Sequence, residues 1–309
     1  MGKINVAVLM GGKSAEREVS LSTGRMILEA LDPEKYNTFS FDAIHLGAKS
    51  FGDPKPDVVL IALHGKYGED GTVQGLLDLL EIPYVGSGVL ASALAMDKIM
   101  ARKILQREGI PVPKGVTVER HFDMEALVRQ VEREIGYPAV VKPNRQGSTI
   151  GLSIAGSASE LPAAVELAFK HDSDVLIEEF VEGMEITVAV LGNCELEALP
   201  VIEIVPASGF YDYYSKYTPG ATEEIVPARI PVEQYKRAQE LGLACHKALG
   251  CRGMSRTDMI IRGDEIIVLE LNTIPGMTPT SLLPTAAKAA GIAFPQLLDR
   301  LIGLALEGR

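Results

Sequence analysis

The chain has no tryptophan, only three cysteines and a shortage of positive charge. Cys194, Cys245 and Cys251 are odd in number and form no Cys-x-x-Cys pair, which argues against a disulfide framework and for a reducing, cytoplasmic setting. Lys and Arg total 30 against 41 Asp and Glu, a formal charge of −11, and no basic stripe interrupts that balance. The excess of acid argues against nucleic acid or an anionic membrane as a partner. The five histidines are scattered and include no His-Glu-x-x-His, which argues against a zinc site. No apolar run reaches membrane-spanning length. The opening Met-Gly-Lys-Ile-Asn-Val-Ala-Val-Leu-Met flows into Gly-Gly without a cleavage pattern and reads as a first strand, not a signal peptide. Repeats and low-complexity tails are also lacking.

What is present is an ordinary globular composition, 47% hydrophobic over 309 residues, enough to bury a sizeable core and divide into two or three domains. Asn5–Met10 predicts a buried strand, followed by a Gly-rich turn and a helix from Ser14 or Ala15 to Leu31 that Asp32-Pro33 stops. Val58–Leu63 predicts a strand, then a Gly-rich loop and a helix through Leu80. Strands alternating with helices predict a parallel sheet with short crossovers. Ala91–Glu108 reads as one helix into a second unit, where Ala139–Lys142 and Val175–Val181 are strands around a polar glycine loop and a helix over Leu161–His171. A third unit begins near Glu185 and holds a long irregular stretch, Ala207 to Ala228.

The densest chemistry lies between Asp258 and Asn272. Glu270 and Asn272 are two apart on an apolar run, so on a strand both face one way. A three-residue loop over Gly263, Asp264 and Glu265 would place Asp258 opposite Glu270, whereas a two-residue turn would send Asp258 to the other face. Two carboxylates and an amide oxygen then converge as hard ligands that suit Mg²⁺ completed by substrate phosphates. The ordinary reading of any one of these acids is a solvated edge residue; the triple spacing on apolar strands overrides it.

Gly12-Lys13-Ser14 lacks the earlier glycine of a phosphate-binding P-loop, since position 7 is Ala7. Asn144-Arg-Gln-Gly147-Ser148-Thr149-Ile-Gly151 is a better anion nest, although surface turns use the same residues. Lys142 strengthens it, as a cation at the end of an apolar strand that needs an anion. Phe210, Tyr211, Tyr213, Tyr214, Lys216 and Tyr217 crowd the long irregular stretch and predict a lid, the alternative being a flap resting on the surface or on a partner chain.

Taken together, Gly11-Gly12-Lys-Ser-Ala-Glu16-Arg-Glu-Val-Ser20, His64-Gly-Lys-Tyr-Gly-Glu-Asp-Gly-Thr-Val-Gln-Gly75, Ala95-Met-Asp-Lys98, Gly147-Ser-Thr-Ile-Gly151, Glu178-Glu-Phe-Val-Glu-Gly-Met-Glu185, Phe210-Tyr-Asp-Tyr-Tyr-Ser-Lys216-Tyr217, Arg256-Thr-Asp258 and Glu270-Leu-Asn-Thr-Ile-Pro-Gly276-Met-Thr-Pro-Thr-Ser281-Leu282 resemble the ATP-grasp ligases, and within them the D-alanine–D-alanine ligase family. The resemblance runs nearly end to end, with Thr149 where many members have Ser and Glu179 where some have Lys. It implies an α/β (α+β) fold of three domains, an N-terminal parallel-sheet domain over 1–95, a central subdomain over 96–182, and a C-terminal subdomain over 183–309 with a lid at 207–228.

It further implies ATP-dependent formation of a dipeptide for peptidoglycan precursors, through an acyl phosphate that a second D-alanine attacks. Lys98, Lys142 and Lys216 would hold phosphates, with Glu178, Glu179, Phe180, Val181 and Leu269 around the adenine and Glu185 on the ribose. Asp258, Glu270 and Asn272 would bind two Mg²⁺, for which Mn²⁺ could substitute. Glu16, held by Ser148 and Tyr217 and near His64, would fix the first ammonium. Arg256 and the Gly276 N–H would stabilise the oxyanion, and Ser281 with the Leu282 N–H would take the second carboxylate. A homodimer is also implied. Without the resemblance, Glu16 reads as helix N-terminal charge and His64 as a satisfied polar residue. Alternatives are another ATP-grasp carboxylate–amine ligase, a relative making D-alanyl-D-lactate or D-alanyl-D-serine, or a nucleotide-dependent binding protein without turnover.

Overall fold

The first strand, Ile4–Met10 (β1), is apolar from Val6 onward because both of its faces are buried there. Val6, Val8 and Met10 enter one core cluster and Ala7 and Leu9 another. It is the centre of a three-stranded parallel sheet with Tyr36–Asp42 (β2) and Val58–Ile61 (β3) on its two sides. The helix Arg17–Ala30 (α1) crosses between β1 and β2. Thr72–Leu79 (α2) and Val89–Met96 (α3) follow β3, so the predicted strand-helix alternation and parallel sheet are present. The structure is a computed structural model that describes residues 2–14, 16–47, 50–51, 55–207, 218 and 220–307.

The single helix expected over Ala91–Glu108 is two, α3 and Lys98–Arg107 (α4). Asp97 breaks it: its backbone is extended, and its side chain accepts the Met100 N–H as the cap of the second helix. A four-stranded antiparallel sheet follows, with Gly115–Glu119 (β4), Ala139–Pro143 (β5), Ser153–Ala155 (β6) and Asp174–Glu179 (β7) in the order β4-β7-β5-β6. Met124–Glu134 (α5) and Leu161–Phe169 (α6) pack on one side of it around Val131, Val141 and Leu161.

The third sheet is antiparallel. Met184–Gly192 (β8) pairs with Glu197–Ala198 (β9), and the sheet runs on through Ile202–Pro206 (β10) and Thr222–Ile225 (β11) on one side, and Gly253–Arg262 (β12) and Glu265–Asn272 (β13) on the other. The stretch expected to be irregular from Ala207 to Ala228 therefore contains a strand, β11. Val232–Ala248 (α7) covers one face with α3 and α4. Leu282–Ala289 (α8) and Phe294–Leu306 (α9) cover the other, and Leu297, Leu301 and Ile302 share a core with Val6, Val8 and Leu191. The C-terminal helices thus bind the third sheet to the first, and the site lies between these sheets. Among the described residues no single helix is long and apolar enough to cross a membrane.

Candidate active site

The hairpin of β12 and β13 carries Asp258 opposite Glu270 and Arg256 opposite Asn272, as the metal reading requires. The route to that register differs from expectation. The loop is the two-residue Gly263-Asp264, with Arg262 paired to Glu265 and Gly263 at φ +61°. A bulge restores the facing: Met259 pairs with Val268 and Asp258 with Glu270, so Leu269 is the extra residue. The bulge also turns Leu269 into the cleft between the second and third sheets.

Asp258 is buried and its carboxylate accepts four hydrogen bonds. Arg256 forks onto it with Nε at 2.9 Å and Nη2 at 2.7 Å, the Thr187 hydroxyl donates at 2.7 Å and the Asn272 amide at 3.2 Å. Glu270 has the Lys98 ammonium 3.6 Å away. Two facing carboxylates therefore already attract two cations, and with the Asn272 amide they form an all-oxygen donor set that fits Mg²⁺. Among the described residues no three acidic, histidine or cysteine side chains form a metal cage.

Glu270 lines two cavities that meet at Gly147 and Ser148. The first, about 220 Å³, is framed by Lys98, Lys142, Glu178, Glu179, Phe180, Val181, Glu185, Asp258, Leu269 and Glu270, so every described nucleotide residue expected from the sequence is in one cleft. Lys142 finds its anion inside the protein: its ammonium is 2.5 Å from Glu178, whose other oxygen is 3.8 Å from Arg102. The Glu179 carboxylate accepts the Lys114 N–H at 2.8 Å and pairs with Arg262 at 3.1 Å, tying the cleft wall to the hairpin tip. Lys98 donates to the Gln146 carbonyl at 2.7 Å, and Arg145 is clasped by Asp97, Asp172 and Asp174, so the glycine loop is anchored at its base. Ser148 and Thr149 both adopt left-handed φ, +49° and +64°, a costly conformation for residues with a side chain.

That turn aims Ser148 across the molecule. Its hydroxyl donates to Glu16 at 2.5 Å, a contact between residues 132 apart in sequence. The Glu16 carboxylate comes so near Gly65 that a Cβ there would collide with it. Beside it, the buried His64 ring lies 3.3 Å from the Thr23 hydroxyl and 3.5 Å from Glu69. These groups line the second cavity, about 280 Å³, together with Arg256, Asn272, Gly276, Ser281 and Leu282. Ser281 precedes α8, and its hydroxyl accepts the Thr278 N–H at 3.1 Å. The start of α8, with its outward N–H groups, thus opens onto the cavity as a seat for a carboxylate.

Lys216, Tyr217 and the aromatic stretch on which the lid expectation rests lie outside the described residues. One residue went unnoticed in the sequence: Glu224 of β11 faces the second cavity. Its neighbours Thr222-Glu223-Glu224-Ile225 carry no clear period, so nothing local distinguishes the inward glutamate from the outward one.

A family model described as the D-ala D-ala ligase C-terminus matches residues 104–303, and one for the D-ala D-ala ligase N-terminus matches 5–48 and 42–87. A protein of Syntrophobacter fumaroxidans named D-alanine–D-alanine ligase is 51% identical over 308 residues, which cover 99% of this chain and 98% of that protein. Among solved structures, the Bacillus anthracis D-alanine–D-alanine ligase complexed with ATP superposes with a TM-score of 0.84 at 38% identity, covering 98% of this chain and 97% of that one. The VanG D-Ala:D-Ser ligase of Enterococcus faecalis gives 0.85 at 39% identity, with 98% and 100% covered. With both family models matched along most of its length and half its residues shared with a full-length relative, the chain belongs to the D-alanine–D-alanine ligase family.

Proposed function

We propose that this chain joins two D-alanines to D-alanyl-D-alanine at the expense of ATP, for peptidoglycan precursors. The observation that carries this reading is the junction of the two cavities. A nucleotide-sized cleft with Lys98 and Lys142 meets, at Glu270 and Ser148, a polar chamber with a carboxylate at one end and a helix start at the other.

ATP occupies the cleft, with Glu178 to Val181 and Leu269 around the base and Glu185 on the ribose. Lys98, Lys142 and, by resemblance, Lys216 hold phosphates. Asp258, Glu270 and Asn272 would hold two Mg²⁺, which neutralise phosphate charge during phosphoryl transfer. Glu16, oriented by Ser148 and assigned also to Tyr217, fixes the ammonium of the first D-alanine beside His64. The carboxylate of that D-alanine attacks the γ-phosphorus, ADP departs, and a D-alanyl phosphate forms. The second D-alanine rests its carboxylate on Ser281 and the Leu282 N–H, and its amine attacks the acyl carbon. Arg256 and the Gly276 N–H stabilise the oxyanion before inorganic phosphate leaves. Because the acyl phosphate hydrolyses in open water, the part of the expected lid that precedes β11 serves to cover the site.

In this reading residues 1–95 supply the first amino-acid site, 96–182 one wall of the nucleotide cleft, and 183–309 the other wall with the metal and second-substrate residues. The protein works in the cytoplasm as a homodimer. The test is product mass and phosphate release across D- and L-amino acids, D-serine and D-lactate. D-alanyl-D-alanine should dominate; a product requiring another amino acid would replace the substrate assignment.

A further inference from the structure

The chamber that holds Glu16 has a further carboxylate, Glu224, used by no step above. Glu224 pairs with Ile204 across β10 and β11, so its side chain faces inward, while Glu223 lies beside Arg229 on the opposite side. It lines the chamber with Arg256 and Ser281, near enough to Thr285 and Arg256 for both to favour its charged form. Thr285 is one turn into α8, its N–H donating to the Ser281 carbonyl at 2.9 Å. Glu224 is thus fixed beside the helix start that seats the second substrate's carboxylate. Burial pushes its carboxyl above the usual range, against the opposing pulls of Thr285 and Arg256.

Two amino acids bring two ammonium groups into the chamber. Of its other acids, Glu270 stands by Lys98, Glu69 by His64, and Glu16 serves the first substrate. Resting on the ligase reading, we propose that Glu224 binds the α-amino group of the second amino acid and thereby favours an amine over a hydroxyl nucleophile. A ligand whose carboxylate caps α8 brings its own positive charge to a partly desolvated carboxylate; the charge-assisted hydrogen bond holds the nitrogen by the acyl carbon, and passage of one ammonium proton to Glu224 frees the lone pair that attacks. A hydroxy acid carries no such charge and leaves Glu224 without a cation from the ligand.

The test compares the parent with Glu224→Gln, which keeps shape but removes charge, and with Glu224→Asp, which keeps charge at shorter reach. Glu224→Gln should raise KM for the second D-alanine about tenfold or more and shift product from dipeptide toward D-alanyl-D-lactate when D-lactate competes. Capture of the activated first D-alanine by hydroxylamine should stay within about twofold of the parent, because that half-reaction does not involve the second amine. Glu224→Asp should recover part of the selectivity. The proposal is overturned if Glu224→Gln leaves the second KM and the product ratio unchanged, or if both half-reactions fall in step with a lowered melting temperature. A parent that activates D-alanine but forms no dipeptide would refute the ligase reading itself, and this proposal with it.

Discussion

The Lys142–Glu178 pair offers a quantitative test of how the nucleotide cleft is held. Both side chains are buried, at 11% and 5% exposure, and lie 2.5 Å apart across adjacent strands of the second sheet. Removing one partner from a buried pair leaves an uncompensated charge and typically costs about 3–5 kcal/mol. The two removals are not equivalent here. After Lys142→Met, Glu178 still has Arg102 at 3.8 Å, so the cost should sit near or just below the lower end, about 2–3 kcal/mol. After Glu178→Gln, Lys142 and Arg102 face each other without an anion, and the cost should reach about 3–4 kcal/mol. Lys142→Met/Glu178→Gln removes both charges together and should cost less than the sum of the singles by about 2 kcal/mol or more. Urea denaturation of the four proteins at pH 7.5 completes the cycle. If each single costs under about 0.5 kcal/mol and the double is additive, the pair is solvated and the description of this cleft wall is wrong.

Gly65→Ala should lower stability by about 1–2 kcal/mol, since φ is +69°, and raise KM for the first D-alanine because the new Cβ displaces Glu16; an unchanged KM would separate Glu16 from that substrate. Glu270→Gln should keep the melting temperature but reduce ligation by about two orders of magnitude or more, and near-normal turnover with unchanged Mg²⁺ dependence would refute the metal assignment. His246 is buried against Ser255, and its pKa falls from 6.5 to about 4 chiefly through burial. The unfolded chain therefore binds more protons within that window, so this contribution is complete above pH 6.5 and is lost as pH falls toward 4, a change of about 3 kcal/mol. His246→Gln should flatten the pH dependence of the urea midpoint over that range, and an unaltered slope would count against a neutral buried ring.

Much of this arrangement was legible where spacing maps directly onto geometry. Glu270 and Asn272 declare a shared face by their separation, and the apolar run Val6–Met10 of β1 declares a strand covered on both sides. The hairpin loop was not legible, because the bulge at Leu269 is a property of pairing and no glycine marks it. The break at Asp97 was hidden by apolar residues that continue the helical pattern on both sides of a good cap. The edge strand β2, Tyr-Asn-Thr-Phe-Ser-Phe-Asp, buries only Tyr36 fully and its polar content masks it. Contacts such as Ser148 to Glu16 join distant segments, and only the resemblance to the ligase family brought them together in advance.

The central claim is tested most directly by supplying the purified protein with ATP, Mg²⁺ and D-alanine as sole amino acid, and quantifying ADP, phosphate and dipeptide together. The account predicts one D-alanyl-D-alanine and one phosphate for each ADP, with no turnover when L-alanine replaces D-alanine. ATP consumption without dipeptide, or equal ligation of the L-amino acid, would contradict it.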